Sequence, residues 1–311
     1  MTRLGLGTTG IGNHRLAMSD DDAWPLLETA WDCGIRHFDT APHYGLGLSE
    51  RRLGRFLATK PRAEYVVSTK VGRLLEEDPD GARRRDDEGF DVSATHRRVW
   101  DFSEAGVRRS LEESLTRLGL DDVDVLYAHD PERWDLDRGL ESGLAALAAL
   151  RAEGRVRAIG VGSMVTDALL AAVRTGAVDL IMAAGRLTLA DQSLAAEVLP
   201  ACRDNGVSVV AAAVFNGGLL ADHPTAQSTF DYAPVSPDLL QRALRIEAVC
   251  ASYEVPLPVA ALQYPLRHPA VRSVVVGAVE PAQVRRNADA LTAPVPEDLW
   301  LELRNEGLVA A

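Results

Sequence analysis

Eight times along this chain a short apolar run rich in β-branched residues gives way to a stretch of helical pattern, and that alternation limits the fold more than any single motif. The runs lie near Leu4-Gly5-Leu6 and at 35–39, 65–70, 123–127, 156–161, 180–183, 207–214 and 271–276. They are apolar almost continuously, as strands covered on both faces are. Parallel strands need a crossover between them, usually a helix, and the intervening stretches are punctuated as helices. Ser19 precedes Asp20, Asp21 and Asp22, and Gly34 closes that stretch. Ser103 opens and Gly119 closes a stripe of Val107, Leu111, Leu115 and Leu118. Leu140, Leu144 and Leu147 run to Gly154, Leu194 and Val198 to Gly206, Leu239, Ala243 and Ile246 form a seventh stripe, and Pro281 opens the last helix. The pattern predicts an α/β fold: a (β/α)8 TIM barrel, one domain over 1–311, with long loops after strand 3 (72–102) and strand 7 (218–237).

Lys+Arg 33 against Asp+Glu 45 gives a net charge of −12, a field that repels phosphate backbones and argues against nucleic acid as a partner. No apolar run approaches the roughly 18 residues of a membrane span, and Met1-Thr2-Arg3-Leu4-Gly5 lacks the apolar stretch of a secretory leader. Cys33, Cys202 and Cys250 lie too far apart for a disulfide framework or a zinc site, so they read as buried free thiols of a cytoplasmic protein. A small-molecule substrate is the expected partner; the oligomeric state is not written in the sequence.

Gly5-Leu6-Gly7-Thr8-Thr9-Gly10 matches GxGxxG, but the setting is wrong for a doubly wound dinucleotide fold. Too little chain precedes it, and the helical pattern waits until Ser19 instead of starting at the third glycine. A glycine-rich loop after a short first barrel strand fits better and can still touch a cofactor.

In a barrel, chemistry gathers at the C-terminal ends of the strands. Strand 2 ends in Asp39, strand 3 in Ser68-Thr69-Lys70 and strand 4 in Tyr127-Ala128-His129, with Tyr44 in the loop after strand 2. Singly, a strand-end Asp or Lys is ordinarily a solvated rim residue and a loop Tyr ordinarily packs. Together, on three consecutive strand ends, they are the parts needed to move a proton on a carbonyl oxygen. A phenol holds its proton tightly at neutral pH. A neighbouring ammonium stabilises the phenolate and lowers that pKa, a carboxylate offsets the desolvation of the ammonium, and an imidazole orients the substrate oxygen. Asp39, Tyr44, Lys70 and His129 are the expected catalytic residues.

These residues resemble the aldo-keto reductase superfamily. Phe38-Asp39-Thr40-Ala41 with Tyr44-Gly45, Ser49-Glu50 and Leu53-Gly54 is similar to the family signature around the catalytic Asp and Tyr. Ser110-Leu111, Ser114-Leu115 and Arg117-Leu118 followed by Asp124-Val125-Leu126-Tyr127 and His129 resemble its helix 3–strand 4 block. Pro42 to Gly54, His129-Asp130-Pro131-Glu132, Ala184 to Leu189 and Phe215 to Leu220 look like the branch that contains L-fucose dehydrogenase, D-threo-aldose 1-dehydrogenase and pyridoxal 4-dehydrogenase. The resemblance implies a nicotinamide cofactor, with contacts from Gly7, Thr8, Thr9, Asp39, Ser163, Arg186, Phe215, Asn216, Gly217, Leu219, Gly277, Gln283, Arg286 and Asn287. The family's usual carboxamide-binding Asn is absent; Ser163 or backbone stands in for it. Gly277, Ala278 and Gln283 occupy positions where NADP-preferring members carry Lys, Ser and Arg, so NAD is favoured over NADP, with Arg285 and Arg286 close enough to oppose that reading.

The resemblance implies an NAD(P)-dependent oxidoreductase, in this branch an aldose 1-dehydrogenase that oxidises a sugar hemiacetal to a lactone. Trp100, Trp134 and His43 are expected to wall the substrate beside Tyr44 and His129, and loops 72–102 and 218–237 to cap substrate and cofactor. The alternatives are an aldehyde or ketone reductase, a pyridoxal 4-dehydrogenase and, in another class, a cofactor-sensing regulatory subunit. A metal-dependent hydrolase needs several ligands on strand ends, and of seven histidines only His129 ends a strand.

Overall fold

In the computed structural model, which describes residues 1–231 and 233–310, the eight runs form a closed parallel barrel. Its strands are β1 (Leu4–Gly7), β2 (His37–Asp39), β3 (Val66–Val71), β4 (Val125–His129), β5 (Ala158–Ser163), β6 (Leu180–Ala184), β7 (Ser208–Ala212) and β8 (Val271–Gly277). Each pairs with its chain neighbour, and β8 closes on β1 with Gly7 opposite Gly277. Alternate residues divide between two cores. Val125 and Tyr127 point into the barrel with Leu180, Met182, Val210 and Val275, while Leu126 and Ala128 join the layer beneath the helices.

The helix signals hold where a polar cap and a glycine agree. On α1 (Asp20–Asp32) Ser19 and Asp22 form a reciprocal capping box, and on α3 (Glu104–Leu118) Ser103 accepts from the Gly106 amide while Gly119 closes the helix with a left-handed φ of 64°. The N-terminal glycines serve close packing, not a Rossmann turn. A Cβ at Gly5 would stand 2.7 Å from the His37 ring, and one at Gly12 2.9 Å from the Tyr44 backbone. Glycine there lets the Tyr44 loop lie directly on the β1 loop.

Some expectations shift. Leu194 belongs to a turn, and its helix starts only at Val198. The stripe of Leu239, Ala243 and Ile246 lies on α7 (Pro237–Ser252), which packs with α8 (Leu257–Gln263) and α10 (Glu297–Asn305) around a second core. It is α8 that contacts the last barrel helix, α9 (Pro281–Thr292). Periodicity reports a buried face but not which neighbour buries it. Segment 72–102 is no irregular loop: Arg73–Glu77 and His96–Trp100 pair as an antiparallel hairpin. Within 218–237 there is a two-residue ribbon, Thr229–Phe230 with Ala233–Pro234, and position 232 lies outside the described residues. Cys202 and Cys250 are buried, and burial pushes their thiols up to about 11 and about 12; Cys33, by contrast, is exposed at the end of α1. Among the described residues, no helix is long and apolar enough to cross a membrane, and no group of three His, Cys, Asp or Glu side chains is placed to hold a metal ion.

Candidate active site

The ends of β2, β3 and β4 bring Asp39, Lys70 and His129 to one rim. Register sets this directly, with Asp39 opposite Ser68 and Lys70 opposite Tyr127. Lys70 Nζ donates to Asp39 Oδ2 at 2.6 Å and to the Thr40 carbonyl at 2.9 Å, and Ser68 Oγ donates to the other Asp39 oxygen at 2.7 Å. Lys70 and Asp39 are only 2% and 3% exposed, so neither charge is tolerable without the other. The same ammonium stands 4.8 Å from the centre of the Tyr44 ring, and its charge bears on the hydroxyl.

Tyr44 is placed by the loop entering α2 (Leu48–Leu57). Gly45 and Gly47 both take positive φ there, and a Cβ at Gly45 would fall 2.2 Å from the Gly12 carbonyl oxygen. The Ser49 hydroxyl bridges Thr8 and Thr40, while the fully buried Glu50 accepts from Thr69 and from Arg117 Nε at 2.6 Å. The Ser-Glu of the signature therefore anchors the loop that presents the phenol. Leu53, Phe56 and Leu57 fix the helix below, each burial contributing about 1.5–3 kcal/mol.

The charge states differ from the simplest expectation. Burial raises the Tyr44 pKa; Lys70 pulls it down and Asp39 pushes it up, leaving the phenol above its ordinary range. Burial opposes the charge on Lys70, but Asp39 and Tyr44 outweigh it and hold the ammonium above its usual value. His129 lies well below the ordinary imidazole range, through burial first and then Arg73 and Lys70, and is neutral. Its ring meets Tyr44 edge-on at 6.1 Å between centroids. The arrangement is a proton donor held beside a fixed ammonium, with an uncharged imidazole able to donate one N–H.

These groups open into a cavity of 510 Å³ lined also by Gly7, Thr9, His14, His43, Arg73, Glu88, Phe90, Arg133, Ser163 and Gly277. His43 belongs to the mouth as expected. Its ring packs on Phe90 at 5.1 Å, and burial drives its pKa down to about 2, with the cations around it adding to the effect. Trp100 and Trp134 do not belong. Both pack on Phe102, which is fully buried over Gly72, Trp100 stacked and Trp134 tilted, and neither indole lines the cavity. Sequence reasoning missed Arg73, Arg133, Glu88 and Phe90. Arg73 is buried and paired with Asp130, and Phe90 arrives from the far end of the hairpin. Adjacency could have flagged two of them: Arg73 lies three residues past Lys70, and Arg133 four past His129.

A second cavity of 790 Å³ adjoins the first, sharing Ala213 and Gly277. Phe215, Asn216, Gly217, Gly277, Gln283, Arg286 and Asn287, all among the residues expected at the cofactor, line it. Thr8, Arg186 and Leu219 line neither cavity. Thr8 is spent on the Asp39 carbonyl and Ser49, Leu219 is fully buried in the second core, and Arg186 is held by Met164 O, Asp191 and Asp231. The Asp231 pair ties the 229–234 ribbon to the end of β6. Ser163 donates to Glu132 at 2.5 Å and accepts from the Val165 amide. The two adjoining cavities share Ala213 and Gly277, and the buried Asn216 Oδ1, without a partner among the described residues, offers a dinucleotide an acceptor. The residues present fit a nicotinamide dinucleotide.

The Aldo/keto reductase family model matches residues 3–305. The chain is 54% identical to D-threo-aldose 1-dehydrogenase of Pseudomonas sp., across 98% of this chain and 94% of that protein. It is 38% identical to pyridoxal 4-dehydrogenase of Microbacterium luteolum (100% and 95%) and 34% identical to L-galactose dehydrogenase of Arabidopsis thaliana (94% and 85%). Among solved structures, an aldo-keto reductase from Bacillus halodurans in its holo form superposes with a TM-score of 0.78 at 25% identity, covering 99% of this chain and 92% of that one.

Proposed function

The chain belongs to the aldo/keto reductase family, and on that premise we propose that it is an NAD-dependent aldose 1-dehydrogenase whose proton-transfer residue is Tyr44. It is an oxidoreductase of CH–OH and carbonyl groups that uses a nicotinamide cofactor. The observation that carries the sugar reading is the polarity of the mouth. Around Tyr44 and His129 stand the Arg73–Asp130 pair, Arg133, Glu88 and His43, a wall that suits a substrate with a hydroxyl on nearly every carbon and gives little to a plain alkyl aldehyde.

The chemistry follows from the charge states. The bound nicotinamide supplies the hydride acceptor or donor. During oxidation the C1 hydroxyl of the cyclic sugar gives its proton to the Tyr44 oxygen, which must be phenolate at that moment, and C1 loses hydride with its electron pair. The C1–O bond becomes the carbonyl of a lactone. Lys70 holds the phenolate by its charge, Asp39 holds Lys70, and neutral His129 donates its N–H to the reacting oxygen. In reduction Tyr44 returns the proton, for which its raised pKa keeps it ready.

NAD is favoured on the adenosine side. Gln283 is turned inward, accepting from the Val279 amide at 2.8 Å. Arg286 lies 3.3 Å from Glu280, and Asp222 and Asp289 add carboxylates to the same cavity. Among the described residues that line this cavity, Arg286 is the one cation to meet a 2′-phosphate dianion, and Glu280 opposes it. Pyridoxal oxidation is the second reading, because Phe90 lies nearly parallel to Tyr44, 29° between planes at 6.2 Å, and makes an aromatic lip for a flat ring. The test is a panel of L-fucose, D-arabinose, L-galactose, pyridoxal and simple aldehydes with NAD(H) and NADP(H), followed at 340 nm. An aldose oxidised with NAD at the highest kcat/KM supports the proposal. Activity confined to pyridoxal or to aldehyde reduction overturns it, as does binding of cofactor with no turnover, the behaviour of a regulatory subunit.

A further inference from the structure

Below the catalytic rim, the barrel interior holds a polar side chain that the mechanism has not used. His37, at the start of β2, has no exposed surface and is surrounded by strands on every side. Its Nδ1 lies 3.2 Å from Ser273 Oγ on β8, and its Nε2 lies 3.3 Å from Ser68 Oγ on β3. Space for the ring is made by Gly5, where any Cβ would strike Nδ1 at 2.7 Å. Ser68 in turn touches Asp39, so a continuous line of contacts runs up the barrel from Ser273 to the Asp39–Lys70 pair.

The direction of this line follows from donor arithmetic. An ionised carboxylate only accepts, so the single Ser68 hydrogen goes to Asp39. Toward His37, Ser68 Oγ can then only accept, which puts the imidazole hydrogen on Nε2. A neutral ring so protonated has a lone pair on Nδ1, and that nitrogen accepts from Ser273. Burial, with lesser contributions from the N-terminal ammonium and Lys70, drives the His37 pKa down to about 3, in keeping with a ring that has room for one hydrogen and not two.

We propose that His37 is a positioning residue for the proton-transfer site: it orients a one-way hydrogen-bond chain, Ser273 to His37 to Ser68 to Asp39, that holds the Asp39 oxygen left free by Lys70 and so fixes the carboxylate–ammonium pair beneath Tyr44. The part assigned to Tyr44 rests on the function proposed above; the chain itself does not. A hydrogen bond delivered to a charged group in a dry interior is worth more than one between neutral groups, and its loss leaves the carboxylate free to turn. Because the ring touches neither substrate nor cofactor, its influence falls on turnover and not on binding.

The chain is read first in the wild-type protein without substrate. Nitrogen-15 NMR of histidine-labelled protein, with the His37 signal assigned by its absence from His37→Gln, should show a neutral Nε2–H tautomer unchanged from pH 5 to pH 8. An Nδ1–H tautomer or a charged ring overturns the proposal, whatever the substrate proves to be. Kinetics read the positioning role. His37→Leu and Ser68→Ala should each lower kcat about tenfold or more while KM and the cofactor Kd stay within threefold. His37→Gln, whose amide nitrogen can replace Nε2 as donor to Ser68, should recover most of the loss. Folded Ser68→Ala with kcat within twofold of wild type contradicts the role. So does equal impairment of the Leu and Gln variants, which would mark His37 as filler alone.

Discussion

The two joined cavities are built from different materials. The mouth is lined by groups that ionise or share protons, most of them committed to partners: Lys70 to Asp39, and Arg73 to Asp130. The neighbouring cavity is lined by residues 213–218, by Pro256, Pro258 and Val259, and along α9 by Gln283, Arg286, Asn287 and Asp289, with no buried ion pair like Lys70–Asp39 among its described lining residues. One region is organised to change the affinity of an oxygen for a proton, the other to receive a long ligand by shape. Gly277 and Ala213 belong to the walls of both. On the proposed function, the contrast teaches that reactivity is concentrated in a few buried charges, while affinity is spread along a longer wall.

The predictions probe that division. The largest effect should come from Lys70→Met, which removes the ammonium beside Tyr44 and strands Asp39. Turnover should fall about 10³-fold, within the range usual for general acid–base groups. Breaking a buried pair should also cost about 3–5 kcal/mol of stability, read by denaturant unfolding. Retained turnover would mean that the mouth does not work through charge. Next, Gly277→Lys with Gln283→Arg should move the ratio of kcat/KM values toward NADP by about tenfold to a hundredfold, the two new cations together contributing about 1.5–3 kcal/mol, the scale of one charge-assisted bond. The chemical step at saturating cofactor should not change. A loss of chemistry would show that the cavities are not separable. The smallest effect is a slope. Because the Tyr44 pKa is raised, its phenolate is scarce at neutral pH and its fraction grows with pH. Oxidation should therefore rise up to about tenfold per pH unit above 7, and reduction, which needs the phenol, should stay flat from 6 to 8. Oxidation that slows from pH 7 to pH 9 would contradict this reading.

How much of this was legible in the chain follows the same division. The barrel and the meeting of Asp39, Tyr44, Lys70 and His129 could be read because strand ends in a parallel barrel converge on one rim, so titratable residues at the ends of consecutive strands must meet. The adjoining cavity was legible only through resemblance, and Thr8 and Leu219 fall outside the lining of both cavities: they share motifs with residues that line them but point into packing. Trp100 and Trp134 misled for a related reason. Aromatic side chains flanking the strand ends look like walls of a pocket, yet Phe102, seated over Gly72 and against Gly143, captures both indoles. Phe90 could not be placed because it depends on the pairing register of the Arg73–Glu77 and His96–Trp100 hairpin, and no local signal in 72–102 specifies that pairing. The net direction of the Tyr44 pKa was also beyond reach, since the pull of Lys70 is visible in the sequence while the opposing burial is a property of the folded mouth.

The central claim is that the Tyr44 oxygen carries the proton while the adjoining cavity holds the dinucleotide independently of it. Tyr44→Phe, titrated with NADH by fluorescence and assayed for aldose oxidation in parallel, tests both halves at once. The account predicts a Kd within about threefold of wild type and a kcat reduced by at least about 10³. A Phe variant that still turns over within tenfold of wild type would contradict it.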